Sequence, residues 1–463
     1  MKYDLIVIGS GPGGYVAAIR ASQLGMKVAV VERAELGGIC LNWGCIPTKS
    51  LLKSAEVYNY LQHAENYGVK PGEGFAPDFA AIVERSRGVA SKMNKGIEYL
   101  FKKNKIDVLF GIAKLLENNK VEVENVHNEI EIYHTEHIIL ATGARSRVLP
   151  NLPIDGEKII GYRKAMTLSK QPESMIVVGS GAIGSEFAFF YNSIGTKVTL
   201  IEYMPNILPL EDEEVSKQVA RSFKKAKMNI MLDSMVEKVD TSGEKCLVTV
   251  KTKKGNQELE ADVVLLAVGI TPNLENIGIE ELGIELDKGK IKVDEFYRTN
   301  ISGIYAIGDI VHGQALAHVA SAEGIVCVEK IAGLNPQVID YSNVPANTYT
   351  TPEVASVGLT EKAAQEAGYE LKIGKFPFTA SGKASAAGNN DGFVKLIFDA
   401  NTDLLLGAHL VGQNVTEMIS ELVLARKKGA TAKEIIATIH PHPTMSEAIM
   451  EAAAAAHAEA IHL

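Results

Sequence analysis

The chain has 463 residues, of which 46% are apolar and 22% are charged, and its formal net charge is −9. This composition is typical of a globular protein, and the length predicts about three domains. The acidic balance and the lack of a basic surface argue against a nucleic-acid partner. No run approaches the ~20 apolar residues that span a bilayer. The first apolar run leads into glycines rather than a cleavage site, so we expect no membrane partner and a cytoplasmic location.

The first predicted element is a dinucleotide-binding unit. A predicted strand at residues 5–8 leads into Gly9, Gly11 and Gly14, which have the spacing Gly-x-Gly-x-x-Gly, and a helix-like stretch follows. The first glycine permits a tight turn, the second lets backbone approach a pyrophosphate, and the third allows helix and strand to pack closely. Glu32 lies 18 residues after the last glycine, where a carboxylate can bind a ribose 2′-hydroxyl.

A pair of cysteines follows this unit. Cys40 and Cys45 lie five residues apart, and on an ideal helix their side chains would point about 140° away from each other. A disulfide between them therefore needs a distorted turn, which Gly44 and Pro47 can provide. In a reducing compartment such a bond favours a redox role over a structural one. The pair could also be half of a zinc site, but no second Cys pair or His-rich partner completes it, so we predict no metal.

The same nucleotide pattern occurs a second time. Gly179, Gly181 and Gly184 follow a predicted strand at 175–178, and Glu202 again lies 18 residues after the last glycine. Two copies at equal spacing predict two dinucleotide sites. The sequence after Glu202 carries no Arg or Lys until position 217. We expect NAD rather than NADP here, because a carboxylate without a basic partner repels a 2′-phosphate.

The segment from Gly37 to Lys49, which contains both cysteines, resembles the active-site segment of the pyridine nucleotide–disulfide oxidoreductases. The resemblance covers essentially the whole chain in the family's order. Further motifs that resemble the family are the crossovers at 141–143 and 267–273, the second FAD fingerprint at 299–309, the start of the dimerisation domain at 349–353, and the His–Glu signature at 440–447.

The resemblance implies an α/β fold with two Rossmann-like dinucleotide-binding domains and a C-terminal α+β dimerisation domain. The first unit would bind FAD and the second NAD. The implied domains are an FAD-binding domain in two parts (1–145 and 271–340), an NAD-binding domain between them (146–270) and an interface domain (341–463). Besides the glycines and the two acids, the implied cofactor contacts are Lys49, Ala113, Thr142, Gly143, Gly269, Asp309 and Ala317.

The resemblance also implies catalytic roles around the cysteines. Cys40 would exchange disulfides with the substrate, and Cys45 would contact the flavin. Lys49, paired with Glu186, would lie near the flavin nitrogen that exchanges hydride.

A histidine would supply the acid/base. His442 lies five residues before Glu447, the family's spacing, so we expect His442 rather than His440 to act and Glu447 to orient it. In this family the pair serves the flavin and cysteines of the other subunit. The resemblance therefore implies a homodimer with shared active sites.

Within the family the chain looks closest to the members that oxidise dihydrolipoyl groups with NAD⁺. The lipoyl domain would then belong to a separate acyltransferase or glycine cleavage carrier protein. Glutathione-type reduction is disfavoured by the missing 2′-phosphate residues and by Thr48 before Lys49, where such enzymes usually carry paired lysines. Mercuric and large thioredoxin reductases need an additional C-terminal redox site, and peroxidase-like relatives use one active cysteine. A catalytically idle adaptor is a further alternative, which the intact catalytic set disfavours.

Overall fold

The computed structural model describes residues 2–72 and 74–463. The chain divides into two compact units, and each is built from three segments. Unit 1 comprises residues 1–50, 83–147 and 270–341, and unit 2 comprises residues 51–82, 148–269 and 342–463. The four-part domain division taken from the sequence stays a prediction. Within the described ranges, no helix combines the length and the apolar composition needed to cross a bilayer.

The helices and strands are numbered in chain order. The helices are α1 (Pro12–Gln23), α2 (Gly38–Asn42), α3 (Cys45–Gln62), α4 (Phe79–Lys103), α5 (Tyr162–Ala165), α6 (Ala182–Ser193), α7 (Glu213–Lys225), α8 (Ala317–Ile331), α9 (Glu361–Glu366), α10 (Gly382–Ala387), α11 (Val415–Lys428), α12 (Ala432–Ala437) and α13 (Glu447–Ala455). The strands are β1 (Lys2–Ile8), β2 (Val28–Glu32), β3 (Asp107–Phe110), β4 (Ile112–Leu116), β5 (Lys120–Glu124), β6 (Ile130–Leu140), β7 (Ala144–Ser146), β8 (Ile159–Ile160), β9 (Ser174–Val178), β10 (Lys197–Ile201), β11 (Asn229–Met231), β12 (Met235–Asp240), β13 (Cys246–Thr252), β14 (Gly255–Ala261), β15 (Val263–Leu266), β16 (Ile270–Pro272), β17 (Leu286–Asp287), β18 (Lys290–Ile291), β19 (Ile304–Ala306), β20 (Ala346–Thr348), β21 (Glu353–Gly358), β22 (Leu371–Pro377), β23 (Phe393–Asp399) and β24 (Leu405–Gly412).

Unit 1 is built on a sheet with the order β3-β2-β1-β6-β5-β4, in which β19 also pairs with β6. Strands β1, β2, β3, β6 and β19 are parallel, and β1 and β2 are almost entirely buried, as their continuous apolar sequences predict. Ile8 pairs with both Val31 and Leu140, so three strands end at the same edge of the sheet. Ligands of open parallel sheets bind at this edge, and the first glycine loop begins there.

Helices α1 and α8 pack closely against each other in unit 1. A Cβ atom on Gly324 would lie 2.7 Å from the Gly13 carbonyl oxygen and 3.2 Å from the Ala17 Cβ. Small residues at this crossing therefore let the two backbones approach each other. The contact holds the start of α1, and with it the glycine loop, against α8.

Unit 2 contains a second parallel sheet, with the order β11-β10-β9-β15-β8. Val178 pairs with Ile201 and Leu266, so its central strands also end together. The antiparallel strands β12, β13 and β14 pack on this sheet through buried side chains such as Val248 and Val250. The repeat seen in the sequence is therefore a repeat of three-dimensional structure.

The last part of unit 2 is an antiparallel sheet with the order β20-β21-β24-β23-β22, covered by helices. Helix α13 approaches β22 so closely that a Cβ on Gly374 would lie 1.8 Å from the Ala452 carbonyl oxygen. This contact fixes the helix whose first residue is Glu447. The predicted α/β fold, with two Rossmann-like sheets and a C-terminal α+β part, is confirmed.

Candidate active site

The first glycine loop leaves an open space at the start of α1. A Cβ on Gly9 would lie 2.3 Å from the Ala141 carbonyl oxygen, and one on Gly14 would lie 1.9 Å from the Gly9 carbonyl oxygen. These two glycines are therefore required by the protein's own backbone. A Cβ on Gly11 would meet no atom within 4 Å. Gly11 is also the N-cap of α1 and provides no side-chain cap, so the first amides of the helix can bind an anion.

The second loop repeats this geometry. A Cβ on Gly179 would lie 2.5 Å from the Ala267 carbonyl oxygen, one on Gly184 would lie 1.9 Å from the Gly179 carbonyl oxygen, and Gly181 faces open space. The N-caps Gly11 and Gly181 share the same backbone angles, φ −62° and ψ −179°. Both loops fit a pyrophosphate group.

The two predicted ribose acids are held by serines inside the glycine loops. Glu32 accepts hydrogen bonds from the Ser10 amide at 3.0 Å and the Ser10 hydroxyl at 2.6 Å. Glu202 accepts the equivalent bonds from Ser180, both at 2.7 Å. Glu32 also accepts the Arg33 and Ala34 amides at 2.8 and 3.0 Å, and Glu202 accepts the Met204 amide at 2.9 Å. A carboxylate can accept about four hydrogen bonds, so Glu202 has capacity left for a ribose hydroxyl, whereas Glu32 would exchange one of its four bonds for it. Sequence reasoning missed the serines because their position in the motif accepts any residue.

The predicted cofactor residues Thr142, Gly143 and Gly269 lie at the same sheet edges. Thr142 follows β6, and its hydroxyl donates to the Asn273 carbonyl at 2.6 Å. Gly143 has a positive φ of 65°, and Gly269, just after β15, has a φ of 106°. Ala113 is buried within β4. The roles of these residues as cofactor contacts stay predictions.

Asp309 and Ala317 lie farther along unit 1. Asp309 is half-buried in the short 3-10 helix Gly308–Ile310, and Ala317 is the first residue of α8. Burial raises the pKa of the Asp309 carboxyl, and the nearby Lys290 opposes that rise. The Asp309 carboxylate accepts no hydrogen bond from the described residues. It is therefore able to accept one from a ligand hydroxyl.

The cysteines lie on either side of a break between two helices. Helix α2 ends at Asn42 and α3 begins at Cys45. A Cβ on Gly44 would lie 3.3 Å from the Cys40 Cα, so the break depends on glycine at this close approach. This is the departure from helix geometry that the five-residue spacing requires.

Both cysteines are thiols in this structure, and the Cys40 thiol is hydrogen-bonded to Cys45. That hydrogen bond, together with burial, raises the pKa of Cys40 far above its usual value, while Lys49 acts in the opposite direction. Tyr15 on α1 lies in the same environment, because burial and then Cys40 raise the pKa of its phenol. Sequence reasoning missed Tyr15, which carries no motif of its own.

Helix α4 holds the segment between the cysteines. The Arg87 guanidinium lies 4.2 Å from the centre of the Trp43 ring, and its Nη2 donates to the Asn42 carbonyl at 2.5 Å. The Asn42 side chain donates to the Leu36 carbonyl at 2.8 Å. Trp43 is therefore part of a rigid support for the thiol pair.

The C-terminal histidines differ in their surroundings. His442 is 80% exposed, and its Nδ1 lies 2.9 Å from Glu447 Oε1. Burial alone would raise the pKa of Glu447, but hydrogen bonds from Thr444 and His442 lower it below its usual value. The His440 side chain is 4% exposed, with Nε2 2.8 Å from Glu421 and Nδ1 2.9 Å from the Thr438 carbonyl. His442 is accessible for proton transfer, and His440 is enclosed by partners.

The predicted Lys49–Glu186 pair has one member in each unit. Glu186 is buried in α6, and its carboxylate accepts a hydrogen bond from the Tyr349 amide at 3.0 Å. The pair stays a prediction. The cysteines likewise belong to unit 1, and the His442–Glu447 pair belongs to unit 2.

The model of the pyridine nucleotide-disulphide oxidoreductase family matches residues 3–324, and the model of that family's dimerisation domain matches residues 344–453. The chain belongs to this family. The predicted resemblance is confirmed, and the chain is an oxidoreductase.

Relatives and solved structures match along the whole chain. A dihydrolipoyl dehydrogenase from Zymomonas mobilis is 49% identical over 464 residues and covers 99% of each chain. A dihydrolipoyl dehydrogenase from Bacillus subtilis is 44% identical over 477 residues, which cover 100% of this chain and 99% of the relative. The crystal structure of LpdA from Mycobacterium tuberculosis has a TM-score of 0.91 at 27% identity, covering 97% of this chain and 98% of its own.

FAD and NAD are the cofactors of this family, and each of the two glycine loops has the geometry that fits a dinucleotide. The fit rests on the two open loops at Gly11 and Gly181, which a side chain would fill. It also rests on Asp309, a half-buried carboxylate without a hydrogen-bond donor among the described residues. The residues present are therefore those that two dinucleotides require.

Proposed function

We propose that the chain is a dihydrolipoyl dehydrogenase that acts on protein-bound lipoyl groups. The balanced reaction is dihydrolipoyl dithiol + NAD⁺ → lipoyl disulfide + NADH + H⁺. The observation that carries the proposal is the hydrogen-bonded pair Cys40–Cys45, placed across a helix break beside a dinucleotide loop. The full-length identity to dihydrolipoyl dehydrogenases supports this choice of substrate.

The substrate reacts with the Cys40–Cys45 disulfide. One substrate thiolate attacks the Cys40 sulfur, forms a mixed disulfide and displaces Cys45 as a thiolate. The second substrate thiolate then attacks the mixed disulfide and releases Cys40. The substrate leaves as a cyclic disulfide, and its two electrons remain on the cysteine pair.

The His442–Glu447 pair manages the protons. His442 Nε2 takes a proton from the first substrate thiol, gives it up to solvent and then takes one from the second thiol, because Nδ1 is occupied by Glu447 at 2.9 Å. Glu447 fixes the orientation of the imidazole and stabilises its protonated form. Its low pKa keeps the carboxylate charged while the histidine carries the proton.

The nucleotide sites carry the electrons onward. The loop at Gly11 and the Asp309 carboxylate would hold FAD in unit 1, and FAD would supply the two-electron chemistry that links the dithiol to NAD⁺. Glu202 selects NAD⁺ by accepting ribose hydroxyls and repelling a 2′-phosphate. Lys49, with Glu186 as its partner, would stabilise charge near the flavin nitrogen that exchanges hydride.

The dimerisation domain at 344–453 supports a homodimer in which His442 and Glu447 of one subunit serve the cysteines of the other. Two inactive variants test this, Cys45→Ser and His442→Ala. A mixed dimer with one change in each chain would retain about half of the wild-type activity if sites are shared, because one site is then intact. No activity in the mixed dimer would assign each site to one subunit.

The function is tested with purified holoenzyme and a panel of substrates. We expect rapid formation of NADH from dihydrolipoamide and NAD⁺, and much slower reduction of NADP⁺. The same protein should not reduce glutathione disulfide with NADPH. Rapid glutathione reduction, or no reaction with dihydrolipoamide, would contradict the proposal. A separate lipoyl-bearing acyltransferase or glycine cleavage carrier protein should also serve as the substrate, and its KM should be lower than that of dihydrolipoamide.

A further inference from the structure

The buried carboxylate of Glu323, in α8, takes no part in the proposed reaction. Glu323 is 1% exposed. Its Oε2 accepts a hydrogen bond from the Gly308 amide at 2.6 Å, and its Oε1 accepts one from the Tyr341 hydroxyl at 2.6 Å. The Tyr341 hydroxyl also lies 3.0 Å from the Tyr297 hydroxyl. All four residues belong to unit 1.

Burying this carboxylate is costly. Burial raises the pKa of Glu323 to about 7, although the bonds from Tyr341 and Gly308 favour the charged form. An apolar residue would fill this interior position without that cost. The presence of a carboxylate at this position is therefore explained by the groups that its two oxygens hold in place.

Glu323 holds the turn that precedes Asp309. Gly308 has a positive φ of 77°, in the left-handed region that favours glycine, and it begins the short 3-10 helix Gly308–Ile310. The Asp309 carboxylate has no hydrogen-bond donor among the described residues, so the backbone on either side must set its direction. The Gly308 amide is the neighbouring backbone group, and Glu323 fixes it.

We propose that Glu323 is a positioning residue for the flavin, which fixes the Gly308 turn so that the Asp309 carboxylate is presented to the bound cofactor. Tyr341 in turn fixes the Glu323 carboxylate. This inference rests on the proposed function, since it requires FAD in unit 1. It assigns Glu323 no contact with the substrate or with NAD.

The test is the rate at which the holoenzyme releases flavin on dilution, followed by the fluorescence of free FAD. Glu323→Gln leaves an amide that cannot accept both hydrogen bonds as the carboxylate does, so we expect release at least tenfold faster than in wild type. Tyr341→Phe removes one hydroxyl and should accelerate release at least threefold. A matched control is Glu329→Gln, also in α8, which loses only a partly exposed pair with Arg20 and should stay within twofold.

Two further readouts separate positioning from a merely structural role. The NAD⁺ affinity of each variant should equal that of wild type, because unit 2 is unchanged. The thermal midpoint of flavin-free Glu323→Gln should lie near that of flavin-free wild type. Flavin release within twofold of wild type in both variants would overturn the inference, and if Glu323→Gln does not fold, Tyr341→Phe alone decides. A wild-type protein that purifies without flavin would instead overturn the proposed function.

Discussion

The two glycine loops are nearly the same structure with different continuations. In both, the serine after the first glycine binds the acid that ends the next strand. In unit 1, the Ser10 carbonyl accepts the Gly37 amide at 3.1 Å, at the start of the cysteine segment. In unit 2, the Ser180 carbonyl accepts the Leu208 amide at 3.0 Å, in a loop that leads to α7.

The difference shows where the chemistry resides. A Cβ on Gly38 would lie 2.6 Å from the Gly11 Cα, so the chain that leads to Cys40 touches the first phosphate loop. The loop after Glu202 contains no cysteine and exposes Tyr203 and Met204. The shared part can bind a dinucleotide in each unit, and the proposed redox pair belongs to the continuation in unit 1. Changes in the shared part should affect cofactor binding, and changes in the continuation should affect the reaction.

The largest effect is expected from the continuation in unit 1. Cys45→Ser removes one sulfur of the redox pair and should lower kcat with dihydrolipoamide by about 10³ or more. Flavin content and NAD⁺ affinity should be unchanged. The measurement is NADH formation, with flavin absorbance and NAD⁺ titration alongside.

The control for that variant is Cys246→Ser, a buried thiol of β13 in unit 2. It should keep wild-type kcat. If Cys45→Ser retained more than a tenth of the wild-type kcat, the redox pair would not be Cys40–Cys45.

A crossed pair of glycine variants tests whether each loop serves one cofactor. Gly11→Ala and Gly181→Ala place a methyl group in open space, so both proteins should fold. The methyl group occupies the space through which a pyrophosphate approaches the backbone. Each variant should therefore bind one cofactor at least about tenfold more weakly, a loss of ~1.4 kcal/mol. Gly11→Ala should lose flavin, and Gly181→Ala should raise the KM for NAD⁺ with flavin retained. The reverse pattern would exchange the cofactor assignments.

Nucleotide selectivity provides a smaller effect confined to unit 2. Glu202→Gln removes the charge that repels a 2′-phosphate, so the ratio of kcat/KM for NADP⁺ to that for NAD⁺ should rise about tenfold. Glu213→Gln, an exposed acid on α7, is the control and should leave this ratio unchanged. An unchanged ratio in Glu202→Gln would place the selectivity elsewhere.

The serines should give the smallest and most symmetrical effects. Ser10→Ala and Ser180→Ala each remove one hydroxyl bond to a buried carboxylate, which contributes about 1 kcal/mol. We expect each dissociation constant, for FAD and NAD⁺ respectively, to rise about fivefold. The measurement is cofactor titration of both variants. A cofactor loss confined to one of the two variants would show that the loops are not functionally equivalent.

Local patterns made much of this molecule predictable. Glycine is required at Gly9 by its positive φ and at Gly14 by the close approach of the Gly9 carbonyl oxygen, and the apolar strands fix the sheet edge beside them. The helix break at Gly44 follows from the five-residue spacing of the cysteines. The catalytic roles follow from the resemblance to the family and not from local patterns.

Contacts between distant parts of the chain were not predictable from local patterns. Glu323 lies 15 residues from Gly308, and nothing in the sequence of α8 marks it as a partner of that amide. Arg87 supports Trp43 from another helix, 44 positions away along the chain. Such pairs form only once the sheet and helices have packed. Ser10 and Ser180 were overlooked for a different reason, because the motif leaves their position unspecified.

The central claim is that electrons pass through the Cys40–Cys45 pair, and thiol trapping tests it most directly. Holoenzyme is mixed with dihydrolipoamide without NAD⁺, alkylated and analysed by mass spectrometry, and the experiment is repeated with excess NAD⁺. The account predicts that Cys40 and Cys45 are alkylated after reduction by dihydrolipoamide alone. When NAD⁺ is in excess, the two cysteines should be a disulfide and should escape alkylation. NADH formation with the same labelling of both cysteines under all conditions would contradict it.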